Sequence, residues 1–277
     1  MTGCFLCGMG KIEGMQTTQY CISDIQDALH RLKIDTLHEL GLSGRGIKIA
    51  VCDSGIRSTH PLLEGRITKK IQIAFGELED NAGHGSHVAG ILSQTAPKSE
   101  IFNIKVLDDN TNGTFADIMT GIETAADMGA DVINLSLGSY AKTCIIDNIM
   151  CQLVDNIAFE RNIAVVCAAG NGGPGISPTI PAGAYGSIAV GSCNDNLTTS
   201  NWSSRGPFCG MKYPDCAAIG ADIYSAWVNG SVCESHSGTS MATPIVSGLI
   251  ALLIEAKGRR LTRGEIEYIL KNGCIKV

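Results

Sequence analysis

Short runs of apolar residues alternate with longer amphipathic segments along most of the chain. The apolar runs predict buried strands at residues 47–52, 101–107, 131–137, 163–169 and 187–192. The segments between and after them carry apolar residues at helical spacing, at 84–94, 115–128, 145–160 and 240–256. Strands that alternate with helices are typical of βαβ units. We therefore expect one α/β domain with a mostly parallel central sheet.

The first 21 residues show no such period and contain scattered glycine and cysteine. We interpret residues 1–21 as an N-terminal extension, regulatory or flexible, and residues 22–277 as the folded domain. Cys4 and Cys7 form a Cys-x-x-Cys pair that could begin a zinc site with Cys21. Structural zinc usually takes four ligands, so loose or buried thiols are the favoured interpretation.

Charge and cysteine content narrow the class of protein. The chain of 277 residues carries 21 basic and 27 acidic side chains, a net charge of −6, which argues against a nucleic-acid or polybasic membrane-surface protein. No apolar run approaches the roughly 18–20 residues that span a bilayer. Twelve cysteines, several of them inside apolar runs as Cys52 and Cys167 are, would risk mispairing in an oxidising compartment. The predicted location is the cytoplasm.

Polar residues and glycines stand where three of the predicted strands end. Asp53 follows the first of these strands, Ser136 and Gly138 end another, and Asn171 lies between two glycines after a third. Ligands of open parallel sheets bind beyond the carboxyl ends of the strands. We therefore expect these residues to meet at one rim.

Two further motifs place reactive side chains at helix starts. His84 lies between two glycines, and imidazole exchanges a proton near neutral pH. Ser240 begins a predicted helix with Pro244 in its first turn, where the helix dipole stabilises developing negative charge. A capping histidine and an N-cap serine are the structural alternatives. With Asp53, these residues match the serine, histidine and aspartate of acyl transfer, and the Asn171 amide would donate to the oxyanion.

Five segments in order resemble the signature blocks of the subtilisin-like serine proteases, the subtilases: VCDSGI, HGSHVAG, NLSLG, AAGNGGPG and SGTSMATP. The resemblance covers roughly residues 22–270 and implies a three-layer α/β fold, with a mostly parallel central sheet flanked by helices. It implies that Ser240 is the nucleophile, His84 the general base, Asp53 its orienting partner and Asn171 an oxyanion donor. The implied activity is serine endopeptidase, through an acyl-enzyme.

The resemblance also implies that a peptide or protein substrate binds as an added strand. The substrate-binding residues that it implies are Gly113, Thr114, Phe115, Ser136, Leu137, Gly138, Ala168, Ala169, Gly170, Thr179 and Thr239. Phe115 would cover the S4 pocket. The P1 side chain, on the residue whose carbonyl is attacked, would lie between segments 136–138 and 168–170, with Thr179 near the floor. No acidic residue lies around Thr179, so a small or medium apolar P1 is expected.

The sequence departs from the family pattern at two places, which bear on metal binding and on the oligomeric state. HGSHVAG runs directly into ILSQTAPKSEIFNIKVL, without the insertion that builds a tight calcium site in secreted relatives. We expect no metal there and no cofactor, while a weaker calcium site elsewhere stays open. The acidic group Glu77, Glu79 and Asp80 is interpreted as a solvated loop, with the binding of basic substrate residues as the alternative. The chain stops one helix after residues 240–256, so the catalytic domain is short at its C-terminus and its oligomeric state stays open.

Three functions remain to be weighed. The first is an endopeptidase, either processing a peptide precursor or leader or acting in general turnover. The second is a peptide-binding pseudoenzyme, against which the complete set of Asp53, His84, Ser240 and Asn171 argues. The third is an acyl-transfer ligase or macrocyclase, which differs from the first only in its product.

Overall fold

Seven parallel strands form the central sheet of the computed structural model, which describes residues 18–140, 147–175, 178–207, 212–230 and 232–274. The strands are β1 (Lys48–Asp53), β2 (Ile67–Gln72), β3 (Glu100–Lys105), β4 (Val132–Leu135), β5 (Ser139–Tyr140), β6 (Ala164–Ala168), β7 (Thr179–Ile180), β8 (Ser187–Cys193), β9 (Cys216–Ile219), β10 (Ile223–Ala226) and β11 (Cys233–His236). The order of the large sheet is β2-β3-β1-β4-β6-β8-β9. Two antiparallel pairs, β5–β7 and β10–β11, stand apart from it.

Seven helices accompany these strands in the described part of the chain. They are α1 (Thr18–Arg31), α2 (Asp35–Glu39), α3 (His84–Thr95), α4 (Phe115–Asp127), α5 (Ile149–Phe159), α6 (Thr239–Lys257) and α7 (Arg263–Gly273). Together with the parallel sheet, they confirm the expected α/β class.

The alternation of side chains along β1 explains why helices cover both faces of the sheet. Ile49 and Val51 belong to one apolar cluster, with residues of α1, α3, α6 and α7. Ala50 and Cys52 belong to a second cluster, with residues of α4 and α5. Successive side chains of a strand point to opposite faces, so β1 contributes to both clusters. This gives the predicted three layers.

Helix α6 crosses the middle of the domain. Its length and composition would suffice to cross a membrane, but 72% of its 18-residue apolar window is buried inside the protein. A helix that is apolar on nearly every side is stable in water only when neighbouring elements surround it. The packing of α6 against α3 and the central strands supplies that surrounding.

The N-terminal end of the described chain is tied to the domain. Helix α1 begins at Thr18, inside the segment interpreted as an extension, and Cys21 is fully buried. Cys21 forms a disulfide with Cys233 in β11. Cys4, Cys7 and the rest of residues 1–17 lie outside the described residues, as does the predicted start of α5 at 145.

Candidate active site

The carboxyl ends of three adjacent strands converge at one edge of the sheet. In the parallel pairing of β1 with β4, Val51 is opposite Asn134, and in that of β4 with β6, Leu135 is opposite Cys167. The residues that follow these positions therefore emerge side by side. They include Asp53, the segment 136–138 and the segment 168–171.

Asp53 and His84 form a buried pair at this edge. His84 is the first residue of α3, and its Nδ1 lies 2.7 Å from Asp53 Oδ1. Both side chains are excluded from solvent, and His84 Nε2 has no hydrogen-bond partner within the described structure. A carboxylate at Nδ1 fixes the tautomer with its proton on that nitrogen, which leaves the Nε2 lone pair available to accept.

The charge around His84 favours its protonated form. Burial lowers the pKa of this imidazole, but the charge and hydrogen bond of Asp53, with the charge of Asp80, outweigh burial and raise the pKa above the usual 6.5.

Close packing keeps the Asp53–His84 pair in place. A Cβ atom built on Gly85 would lie 2.0 Å from the Gly55 carbonyl oxygen, so position 85 requires glycine.

Asp80 joins the end of β1 to the start of α3. Its two oxygens accept hydrogen bonds from the Ser54 hydroxyl, the amides of Ala82 and Gly83, and both the amide and the hydroxyl of Ser86, at distances of 2.7 to 3.0 Å. Asp80 is fully buried. The interpretation of this residue as part of a solvated loop was wrong. An aspartate before a glycine-containing turn and a helix start was the signal that could have identified it.

Ser54 connects Asp53 to Asp80 and to a buried lysine. Its amide donates to Asp53 Oδ1 at 2.7 Å, and its hydroxyl accepts from the Gly85 amide at 3.0 Å. Its carbonyl accepts from the buried Lys105 ammonium at 2.5 Å, which also pairs with Asp109 at 2.9 Å. A single lysine inside the apolar run IFNIKVL was the only sequence signal of this buried cation.

Ser240 is the second residue of α6 and is partly exposed. Its hydroxyl donates to the Ser136 carbonyl at 2.9 Å, and the Ser136 hydroxyl donates back to the Ser240 carbonyl at 2.9 Å. Pro244 is the sixth residue of the helix, not a first-turn residue as predicted. Its missing N–H leaves the Ser240 carbonyl without its helical donor, and Ser136 takes that place.

Asn171 is held by the residue before Ser240. Its Oδ1 accepts from both the amide and the hydroxyl of Thr239 at 2.9 Å. The Thr239 hydroxyl in turn accepts from the Gly170 amide at 3.1 Å. Because its carbonyl end is held in this way, Asn171 presents its amide nitrogen as a donor, 3.3 Å from the Cβ position of Gly238.

The residues assigned to substrate binding fall into two kinds. Leu137, Ala168, Ala169, Thr179 and Thr239 are buried in the walls of the cleft. On the other side, Thr114 caps α4 by accepting from the Asp117 amide at 3.0 Å, and Phe115 is half-buried against the second apolar cluster. A Cβ atom on Gly113 would lie 2.6 Å from Leu107, so close packing explains this glycine.

The described residues offer no arrangement of three or more histidine, cysteine, aspartate or glutamate side chains that could hold a metal ion. His87, three residues after His84, donates from Nε2 to the carbonyls of Ile223 and Glu234 at 3.0 Å, as a structural histidine does. Helix α3 runs without interruption from His84 to Thr95. The expectation of no calcium after this helix stays a prediction.

Comparison with known proteins places this geometry in a family. The sequence pattern of the subtilase family matches residues 44–274. Thermitase of Thermoactinomyces vulgaris is 38% identical over 246 residues, which cover 84% of this chain and 83% of that protein. Subtilisin Savinase of Lederbergia lenta is 35% identical, with 88% and 89% covered. M-protease of Shouchella clausii is also 35% identical, but the match spans 63% of its length.

The fold agrees with a solved structure. The crystal structure of a cold adapted subtilisin-like serine proteinase aligns with a TM-score of 0.72 and 29% identity, and the alignment covers 83% of each chain.

Proposed function

The chain belongs to the subtilase family of serine proteases, and from this premise we propose that it is an endopeptidase that works through Asp53, His84 and Ser240. The observation that carries the proposal is the Asp53–His84 hydrogen bond of 2.7 Å, with His84 Nε2 buried and without a partner. A nitrogen fixed in this way can accept the proton of a nucleophile.

The first step requires a rotation of the Ser240 side chain. In the structure its hydroxyl donates to the Ser136 carbonyl and not to His84. We propose that the bound peptide supplies a backbone N–H to that carbonyl, since a peptide added as a strand donates to backbone carbonyls of the segment that it joins. The displaced hydroxyl then turns to His84 Nε2. Peptide binding thereby completes the catalytic set.

Attack by Ser240 Oγ on the P1 carbonyl transfers the hydroxyl proton to His84. Asp53 stabilises the imidazolium, and the nearby charge of Asp80 favours it further. The Asn171 amide donates to the oxyanion of the tetrahedral intermediate. His84 returns the proton to the leaving amine, and the carbon–nitrogen bond breaks. Water, activated by His84, then hydrolyses the acyl-enzyme and restores Ser240.

The substrate that this cleft favours is an extended segment, such as an exposed loop or the leader of a peptide precursor. All chemical steps use side chains of the chain itself, and we propose that no cofactor is needed. A cytoplasmic location is part of the same proposal. The free cysteines, four of them buried, support it, whereas the Cys21–Cys233 disulfide is a bond more usual in oxidising compartments. Activity that is unchanged by a chelator would support the statement on cofactors.

Product analysis in ¹⁸O-labelled water distinguishes the three functions. A denatured protein is incubated with the wild type and with Ser240→Ala, and the products are identified by mass spectrometry. Hydrolysis predicts new C-termini that carry ¹⁸O with the wild type only. A ligase would place an added amine, such as glycinamide, on those C-termini, and a pseudoenzyme would bind the chain without cutting it. Either of these results would overturn the proposal.

A further inference from the structure

Thr179 fills the space between the two segments assigned to the walls of the P1 pocket. A Cβ atom built on Gly138 would lie 2.8 Å from Thr179 Cβ, and one built on Gly170 would lie 2.7 Å from Thr179 Cγ2. The Thr179 hydroxyl donates to the Ala168 carbonyl at 2.9 Å, and the residue is 3% exposed. One side chain therefore touches both walls and leaves little depth beneath the two glycines.

Tyr140 adds a second boundary to the same space. It stands directly opposite Thr179 in the antiparallel pairing of β5 with β7. Residues that face each other in this way project their side chains from the same face of the pair. Tyr140 Cε1 lies 3.3 Å from the Cβ position of Gly170. The ring therefore leans over Gly170, beside the Thr179 methyl group.

The Tyr140 hydroxyl connects this boundary to the reaction centre. It accepts a hydrogen bond from the Asn171 backbone amide at 2.9 Å. Asn171 is the residue whose side-chain amide is proposed to hold the oxyanion. A bulky P1 side chain that displaced the Tyr140 ring would therefore also remove a backbone contact of Asn171.

On the basis of the proposed function, we propose that Tyr140, together with Thr179, determines P1 specificity and restricts it to glycine, alanine and serine. A larger P1 side chain must either move Thr179, which is buried and bonded to Ala168, or displace Tyr140 from Asn171. Its penalty appears in kcat as well as in KM, because the second route disturbs the oxyanion donor. The substrate class is accordingly peptides with a small residue before the scissile bond.

A series of peptides that differ only at P1 (Gly, Ala, Ser, Leu and Phe) tests the proposal through kcat/KM. Active sites are first titrated with a small alkyl fluorophosphonate, which carries no P1 side chain. One extra methylene in a closed pocket changes kcat/KM by about 10 to 200-fold. We therefore expect alanine to exceed phenylalanine by at least about 100-fold in the wild type.

Three variants identify which side chain restricts the P1 residue. Thr179→Ser keeps the hydrogen bond to Ala168 and removes only the methyl group against Gly170. Tyr140→Ala removes the ring. We expect each to raise the ratio of phenylalanine to alanine cleavage at least about tenfold. Tyr140→Phe keeps the ring, so it should leave the ratio unchanged while lowering kcat for every peptide.

The outcomes separate this inference from the proposed function. A wild type that is labelled by the fluorophosphonate but cleaves phenylalanine as well as alanine overturns the inference alone. Unchanged ratios in both Thr179→Ser and Tyr140→Ala do the same, provided that both variants are labelled. Absence of labelling in the folded wild type would instead count against the endopeptidase itself. Tyr268→Ala, at a tyrosine that is 70% exposed, is the matched control.

Discussion

The two sides of the candidate active site are held in different ways. The base side consists of Asp53, Ser54, Asp80 and His84, all buried and joined by hydrogen bonds to one another or through backbone amides. The nucleophile side consists of Ser136, Asn171, Thr239 and Ser240, joined across β4, β6 and α6. On the base side, Asp53 Oδ2 and His84 Nε2 are buried and have no hydrogen-bond partner within the described structure, so the hydrogen bond from Ser240 to His84 that would connect the two sides is absent.

This difference assigns a separate task to each side. Hydrogen bonds among buried polar groups hold them in fixed positions, and those made by Asp53, Ser54 and Asp80 therefore hold His84 in place. Ser240 is partly exposed, its hydroxyl donates to the Ser136 carbonyl, and its change of acceptor to His84 is part of the proposed mechanism. We infer that the base side holds His84 in position before the substrate binds. On the nucleophile side, the Ser240 hydroxyl changes its acceptor when the peptide binds.

Asn171→Ala breaks the nucleophile side and should lower kcat more than a change at Asp80 does. Loss of one oxyanion donor lowers kcat by about 10² to 10³-fold, with KM little changed, because the contact strengthens only in the transition state. Steady-state kinetics on an alanine P1 peptide measure both constants. Asn201→Ala, at an exposed asparagine, is the control. A rise in KM at constant kcat would show that Asn171 binds substrate and does not stabilise the oxyanion.

Asp80→Asn breaks the base side at its centre. An asparagine offers one acceptor oxygen and places an NH₂ group against donors that the second carboxylate oxygen now accepts from. Misplacement of His84 should lower kcat by about 10 to 100-fold, together with the melting temperature. Asp127→Asn, whose side chain is 74% exposed, is the control. Full activity in folded Asp80→Asn would mean that Asp80 does not position His84.

The pH dependence of kcat/KM gives a second test of the role of Asp80. His84 must be neutral to accept a proton, and its pKa is raised above 6.5. The acid limb of kcat/KM should therefore have its midpoint above 6.5 in the wild type. Because the Asp80 charge is one cause of the raised pKa, the limb should move to lower pH in Asp80→Asn. An unchanged limb with lowered kcat would indicate a purely steric role for Asp80.

Asp24→Asn lies outside both sides and should change stability alone. Burial raises the pKa of Asp24 to about 6 despite the hydrogen bond from the Tyr224 amide, and nearby aspartates add to the rise. The folded state thus binds a proton that the unfolded state has lost above its pKa of 3.8, so wild-type stability falls as pH rises from about 4 to 6.

The asparagine variant carries no such ionisation. It should melt a few degrees above the wild type at pH 8 and close to it at pH 4, in a thermal denaturation series. Its kcat/KM at 25 °C should equal that of the wild type. Greater stabilisation at pH 4 than at pH 8 would contradict the assigned cause.

The centre of the fold could be predicted from the sequence because its strands are continuous apolar runs. All five predicted strands correspond to β1, β3, β4, β6 and β8. The edge strand β2 contains two lysines and is only partly buried, so it lacked the expected pattern. The short strand β9 has only four residues, three of them small, and β10 and β11 pair only with each other among the described strands.

The residues of the candidate site also divide into those that the sequence could identify and those that it could not. Asp53, His84, Asn171 and Ser240 stand in motifs whose glycines and helix starts are local, so position in the sequence sufficed to single them out. Asp80, Tyr140 and the Cys21–Cys233 disulfide depend on contacts between distant segments. No local period or spacing marks such contacts, so sequence reasoning gave Tyr140 no role. Asp80 also makes local contacts, and the glycine-containing turn and helix start that follow it were the signal that the solvated-loop interpretation missed.

The central claim is that His84 activates Ser240, and covalent labelling tests it most directly. Intact mass spectrometry follows the reaction of a small fluorophosphonate with the wild type, Ser240→Ala and His84→Ala, each shown to be folded by circular dichroism. We expect one adduct on the wild type, none on Ser240→Ala, and labelling of His84→Ala that is slower by orders of magnitude. Equal labelling rates in the wild type and His84→Ala, or no adduct on the folded wild type, would contradict this claim.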